Sequence, residues 1–236
     1  MKVLTLLLIA IVSCNISVAQ NNAKDVPTAR LTEYELKPEY RERFRKIVGN
    51  YVKSAVTRKS NIMAEAYFEK ENPSRLWLIE RWTSKNAPDK FSKIIASLSK
   101  KALLKPATVY HVNDLEPLSR QQWRRTARKQ DKPLTVMLFV DAKQGTQQDF
   151  KTIYHKAMPQ FRSEAGVVTY QLSAIEGDET KFVTYEKFRS DEAFQYHLKF
   201  PPIQPVIDYL NTSIKKPPFQ NGIHNLIEFA PLTREK

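Results

Sequence analysis

The chain has 236 residues, with 38 Lys+Arg against 25 Asp+Glu and a formal net charge of +13. A single cysteine excludes an internal disulfide, and five glycines with no Cys-x-x-Cys and no nucleophile elbow exclude the common phosphate-loop, thiol-redox and serine-hydrolase patterns. The basic balance suits a solvated surface, with anionic lipid, envelope polysaccharide or an acidic small molecule as partner and no nucleic acid expected.

Lys2 and the apolar run Val3 to Val12, followed by the small residues Ser17-Val18-Ala19, form a secretory signal that is too short to span a bilayer. Cleavage before Gln20 would place the mature chain in the periplasm or outside the cell. It would also remove Cys14, and with it every thiol. An alternative takes Ile11-Val12-Ser13-Cys14 as a loose lipobox, which would leave the protein membrane-anchored through Cys14.

Ala29 to Leu36 alternates and reads as a strand. Pro38 opens a helix whose Phe44, Ile47, Val48, Tyr51, Val52 and Ala55 form one stripe at helical spacing. Ile62 to Phe68 and Leu76 to Trp82 read as two strands joined by a polar turn. A second helix starts near Asn86-Ala87-Pro88, and Ala107 to Val112 is a closing strand. Ser119 to Lys132 gathers Arg120, Arg124, Arg125, Arg128, Lys129 and Lys132 around Trp123, and reads as a solvated linker, with a polyanion-binding strip as the alternative.

The chain then repeats itself at a constant offset of 106 residues. Phe150, Ile153, Tyr154, Ala157, Met158 and Phe161 renew the helical stripe, with Pro159 expected to kink or shorten it. Val167 to Ile175 and Phe182 to Phe188 renew the strand pair across Glu176-Gly177-Asp178-Glu179. A helix starts at Ser190-Asp191-Glu192, and Ile223 to Phe229 closes the half. Pro117-Leu118 and Pro231-Leu232 follow the two closing strands. The chain thus divides into a signal segment 1–19, a first half 27–118, a linker 119–132 and a second half 133–232. A repeat of this length is a whole small domain. Its order, strand–helix–strand–strand–helix–strand, is the ferredoxin-like split βαβ of an α+β fold. Each half would leave one sheet face bare, and packing the two sheets together would give an intramolecular α/β barrel with helices outside.

The strand ends Glu80-x-Trp82-x-Ser84 and Glu186-x-Phe188-x-Ser190, with Asp191 to His197 after the second, resemble the antibiotic biosynthesis monooxygenase family. The likeness covers two tandem copies and implies the dimeric α/β-barrel fold. The family includes cofactor-free oxygenases of quinols and polycyclic phenols, haem-degrading enzymes and isomerase-like proteins. The actinorhodin-type oxygenases carry a Trp at the position of Trp82 and an Asn four residues earlier; here Leu78 and, in the second half, Thr184 stand at that Asn position. The haem-degrading branch carries an Asn where Ala29 and Thr135 stand and a Trp where Phe91 and His197 stand, so the resemblance implies no haem and no other cofactor.

His197 is the candidate proton acceptor: it lies three residues after Phe194, can face the same interior as Phe194 and Leu198, and has Phe91 as its twin. Trp82, Phe188, Phe194 and Thr184 are the candidate substrate contacts. Glu80 and Glu186 are twins on apolar strands and need a partner, an Arg or Lys of a neighbouring strand. His111, His155 and His224 show no metal-ligand spacing. Pro201-Pro202 and Pro205 break the last helix and would re-aim the chain over a pocket mouth. Two readings follow. One is an exported, cofactor-free monooxygenase of a phenolic or quinol-like molecule; the other is a non-catalytic barrel that binds a ligand or partner of the cell envelope.

Overall fold

The computed structural model describes residues 27–83 and 90–230. The signal segment, Ser84, the expected helix start at Asn86-Ala87-Pro88, the Phe91 side chain and Pro231-Leu232 lie outside the described residues. The first half runs β1 (Thr28–Glu35), α1 (Arg41–Ala55), β2 (Asn61–Glu69), β3 (Arg75–Trp82), α2 (Lys90–Ala102) and β4 (Thr108–Leu115). A short helix, α3 (Arg120–Trp123), precedes the second half. That half runs β5 (Leu134–Asp141), α4 (Gln147–Ser163), β6 (Val167–Ile175), β7 (Lys181–Phe188), α5 (Asp191–His197), α6 (Gln204–Thr212) and β8 (Ile223–Ala230).

The stripes read from the sequence face the cores, with Ile47 and Ile153 only partly buried. Phe44, Val48, Tyr51, Val52 and Ala55 of α1 face the first sheet, and Phe150, Tyr154, Ala157, Met158 and Phe161 of α4 face the second. The α4 helix runs past Pro159 to Ser163, so the proline does not shorten it. After α5 the proline-rich segment does not cover a pocket mouth. A 3-10 turn at Pro201–Ile203 leads into α6, whose Val206, Tyr209 and Leu210 join the core between α4 and the sheet.

All strands pair antiparallel and close into one barrel in the order β1-β3-β2-β8-β5-β7-β6-β4. Each half keeps its split βαβ order, but its last strand also pairs with the other half: β4 joins β6, and β8 joins β2. The halves are therefore hydrogen-bonded edge to edge as well as packed face to face, which leaves no open sheet edge. Three apolar layers result. One lies under each pair of helices, and one fills the barrel with Leu31, Met63, Tyr67, Trp77, Met137 and Tyr185 among others.

The basic segment between the halves is a strap rather than a solvated linker. Trp123 and Ala127 are buried, and Trp123 stacks under the Arg81 guanidinium at 3.8 Å. The Arg124 guanidinium donates to the carbonyls of Val56, Asn61 and Ile62 at 2.9–3.0 Å, and Arg120 reaches those of Arg58 and Lys59. Charged donors thus satisfy carbonyls of the α1–β2 connection and of the irregular start of β2. Arg124→Ala should cost about 1–2 kcal/mol of stability in urea unfolding. A change below about 0.3 kcal/mol would mean that the strap is not anchored there.

Candidate functional site

Strand alternation sends residues 182, 184, 186 and 188 of β7 towards the helices and 183, 185 and 187 into the barrel. The residues marked by the sequence lie on the helix side. Trp82 is buried, and its Nε1 donates to Glu80 at 3.2 Å. Glu80 also accepts from Arg30 at 2.7 Å and from the Tyr51 hydroxyl, so it has the cationic neighbour-strand partner that burial requires.

Its twin Glu186 does not. The position of Arg30 is taken by Val136 in the second half, and Glu186 relies on the Thr184 hydroxyl at 2.7 Å and on Tyr170. Burial pushes Glu186 up to about 7, partly offset by those hydrogen bonds. Glu164, at the end of α4, is also lifted to about 7 by burial and then by the charge of Glu186. His197 Nδ1 lies 2.7 Å from Glu164 Oε1, while burial lowers the imidazole to about 4. The pair holds its proton in the uncharged arrangement. His197 Nε2 and Glu164 Oε2 have no hydrogen-bond partner.

His197 is 1% exposed and packed by the rings of Phe161, Tyr170 and Phe188. Phe188 also packs on Phe194, whereas Leu198 points outwards. None of the four main cavities on the described surface is lined by His197, Trp82, Phe188, Phe194 or Thr184. The structure brings these five into the helix–sheet cores, Trp82 in the first half and the others in the second.

The barrel face carries the groups the sequence reading passed over. Lys187 is 4% exposed, with Nζ 2.9 Å from Glu65 and 3.2 Å from Glu228. The hydroxyls of Tyr67 and Tyr185 both donate to Glu65. Burial would raise Glu65, but the Lys187 charge and these hydrogen bonds outweigh it and hold the carboxyl below its usual range. Burial likewise opposes the Lys187 charge, yet Glu65, Tyr185 and Glu228 keep the ammonium well above its ordinary value. The result is a desolvated cation fixed between two carboxylates in the barrel wall.

This cluster is reached from outside. The β5–β8 register runs only from Leu138↔Ile223 to Thr135↔Leu226, and past that point β8 continues alone with β2. A cavity of about 320 Å³ opens at the gap, lined by Glu65, Lys187 and Glu228 together with the strap residues Arg125 to Ala127. The available signal was the period of two: Lys187 follows Val183 and Tyr185 on the barrel face, and Glu65 and Tyr67 share that face of β2. The Glu-x-Trp-x-Ser pattern instead drew the reading to the opposite face.

Fold and site together define a single-chain α/β barrel made of two ferredoxin-like repeats, with an ionised cluster at the end of a side-opening cavity. The sequence pattern of the family described as antibiotic biosynthesis monooxygenase matches residues 27–93 and 133–207, more than half of the chain. The chain belongs to that family, in two tandem copies. No curated protein matches it. Among solved structures it is similar to a candidate monooxygenase from Lactobacillus acidophilus NCFM, at 14% identity and TM-score 0.70, covering 86% of this chain and 94% of that one. A candidate monooxygenase from Fusobacterium nucleatum aligns at 12% identity and TM-score 0.72, covering 86% and 93%. An anthrone oxidase-like protein aligns at 9% identity and TM-score 0.58, covering 87% and 92%. At these identities the likeness establishes the fold alone.

Proposed function

We propose that the protein is an exported monooxygenase that oxidises a phenolic or quinol-like small molecule without a bound cofactor. Family membership supports the reaction class, and the amino-terminal pattern Lys2, Val3 to Val12 and Ser17-Val18-Ala19 supports export. The observation that carries the reading is the cavity of about 320 Å³ that ends on Lys187, Glu65 and Glu228. The proposed site is there rather than at His197, which we assign to packing and to its pair with Glu164.

In this reading a phenol enters hydroxyl first. That hydroxyl donates to the Glu228 carboxylate, which takes the proton and passes it to solvent at the open mouth, while the Lys187 ammonium beside it offsets the charge left on the phenol oxygen. The electron-rich ring then reacts with dioxygen. A ring C–H and the phenol O–H are replaced by a quinone: one oxygen atom becomes the new carbonyl, the other leaves as water, and the substrate supplies all the electrons. The second reading, a ligand-binding barrel without chemistry, draws on the closed helix–sheet cores, where the family resemblance pointed.

Oxygen uptake with a panel of phenols and naphthols tests the proposal. Ile227 is 41% exposed and lines the cavity, so Ile227→Trp should block the mouth without unfolding the barrel. Turnover should fall about tenfold or more in this variant and be retained in His197→Ala. Loss in His197→Ala with Ile227→Trp unaffected would move the site back to the helix–sheet core. Saturable binding with no oxygen consumed by any phenol would leave the binding-barrel reading.

A further inference from the structure

The cavity between β5 and β8 is polarised along its depth. At the inner end the Lys187 ammonium contacts two carboxylates, Glu65 and Glu228. Tyr67 and Tyr185 have already committed their hydroxyl protons to Glu65. Carboxylates accept and do not donate, so the carboxylate oxygens that line this end suit a ligand hydroxyl.

The mouth has the opposite character. Lys70 and Arg125 line it, both exposed, and neither side chain has an ion pair or hydrogen bond among the described residues. Arg125 differs in this from Arg120 and Arg124 of the same strap, which are bound to backbone carbonyls. Pro133, Leu134, Leu226 and Ile227 add an aliphatic wall to the cavity. A volume of about 320 Å³ is at the small end for ligand pockets and fits one or two fused rings rather than a long polycycle.

We propose that this cavity selects a phenolic acid: a flat one- or two-ring aromatic with a hydroxyl at one end, for Glu65 and Glu228, and a carboxylate at the other, for Lys70 and Arg125. The inference rests on the cavity being the working site and deepens the oxygenase reading by naming its substrate class. An ammonium and a guanidinium with no internal partner keep their full charge for an incoming carboxylate, and charge-assisted hydrogen bonds are the strong ones. An uncharged phenol would use only the inner end.

Three probes separate the two ends: 6-hydroxy-2-naphthoate, naphthol without the acid, and naphthoate without the hydroxyl, titrated by fluorescence or calorimetry against the full mature chain. The hydroxynaphthoate should bind about tenfold or more tighter than either single-group probe. In Lys70→Gln/Arg125→Gln, whose exposed positions leave the fold intact, its affinity should drop to that of naphthol, and naphthol binding should not change. Equal binding of hydroxynaphthoate and naphthol, survival of the preference in the double variant, or no saturable binding of any probe would overturn the proposal. Oxygen uptake measured in parallel separates this proposal from the one it rests on. Acid-selective binding without oxygen consumption defeats the oxygenase reading and leaves the recognition intact. Uptake that is as fast with an uncharged phenol as with its acid defeats the substrate class and leaves the oxygenase reading.

Discussion

Lys187→Met should lower the unfolding free energy by about 3–5 kcal/mol, the usual cost of removing one partner from a buried ion pair. Methionine fills nearly the same space, so the loss is electrostatic rather than a cavity. Without the ammonium, Glu65 and Glu228 lose the cation that both contact, at 2.9 and 3.2 Å. Glu65 would then have to take up a proton or keep an uncompensated charge inside the barrel. Adding Glu65→Gln removes that charge, so the double variant should recover at least half of the loss. Guanidinium unfolding of the two single variants and the double variant near pH 7 measures the coupling. A cost for Lys187→Met below about 1 kcal/mol would be that of a solvated surface pair, and the cavity floor could not then hold a desolvated cation for chemistry.

Glu186→Gln should stabilise the protein, and more so as the pH rises. The folded carboxyl is lifted from an ordinary value of 4.5 to about 7. Below 4.5 both states are protonated and the group is neutral towards folding. Between 4.5 and about 7 the folded chain keeps a proton that the unfolded chain has released, so stability falls across this window, and above it the whole penalty is present. Glu164 follows the same direction, while His197, lowered from 6.5 to about 4, opposes it by adding stability as the pH rises from about 4 to 6.5. The Glu164–His197 pair therefore opposes itself between pH 4.5 and 6.5, and within this core Glu186 supplies the remaining dependence. Relative to the unsubstituted chain, Glu186→Gln should gain roughly 2–3 kcal/mol more at pH 8 than at pH 4. Gln still accepts from Thr184 and Tyr170, so the difference isolates the charge. The same gain at both pH values would show that Glu186 does not titrate with a raised value.

These twins show why the cores were only half legible. Glu80 and Glu186 occupy the same position in a strand repeated at a fixed offset, and the need for a partner follows from burial alone. Which partner each one has depends on the strand beside it, where Arg30 in one half meets Val136 in the other. His197 was singled out because its twin is Phe91 and its spacing from Phe194 turns it towards an apolar interior. Its actual neighbours, Glu164 thirty-three residues earlier and three aromatic rings, come from three other elements. The strap was misjudged for a related reason. A run of arginines looks solvated until the carbonyls of the α1–β2 connection are seen within hydrogen-bonding reach of it.

By itself the sequence determined the local periods and their repetition: two helical stripes, alternating strands and one offset, hence two ferredoxin-like halves with bare sheet faces that had to meet. Periodicity carries that much because it depends only on residues a few positions apart. How the halves meet was decided by tertiary structure. The pairing of β4 with β6 and of β8 with β2 closes the barrel, and the early end of the β5–β8 register opens its side onto Lys187. Glu65 and Lys187 lie 122 residues apart, and nothing in either local pattern marks one as the partner of the other. Their pairing, and the cavity that exposes it, exist only once two strands from different halves face each other across the barrel.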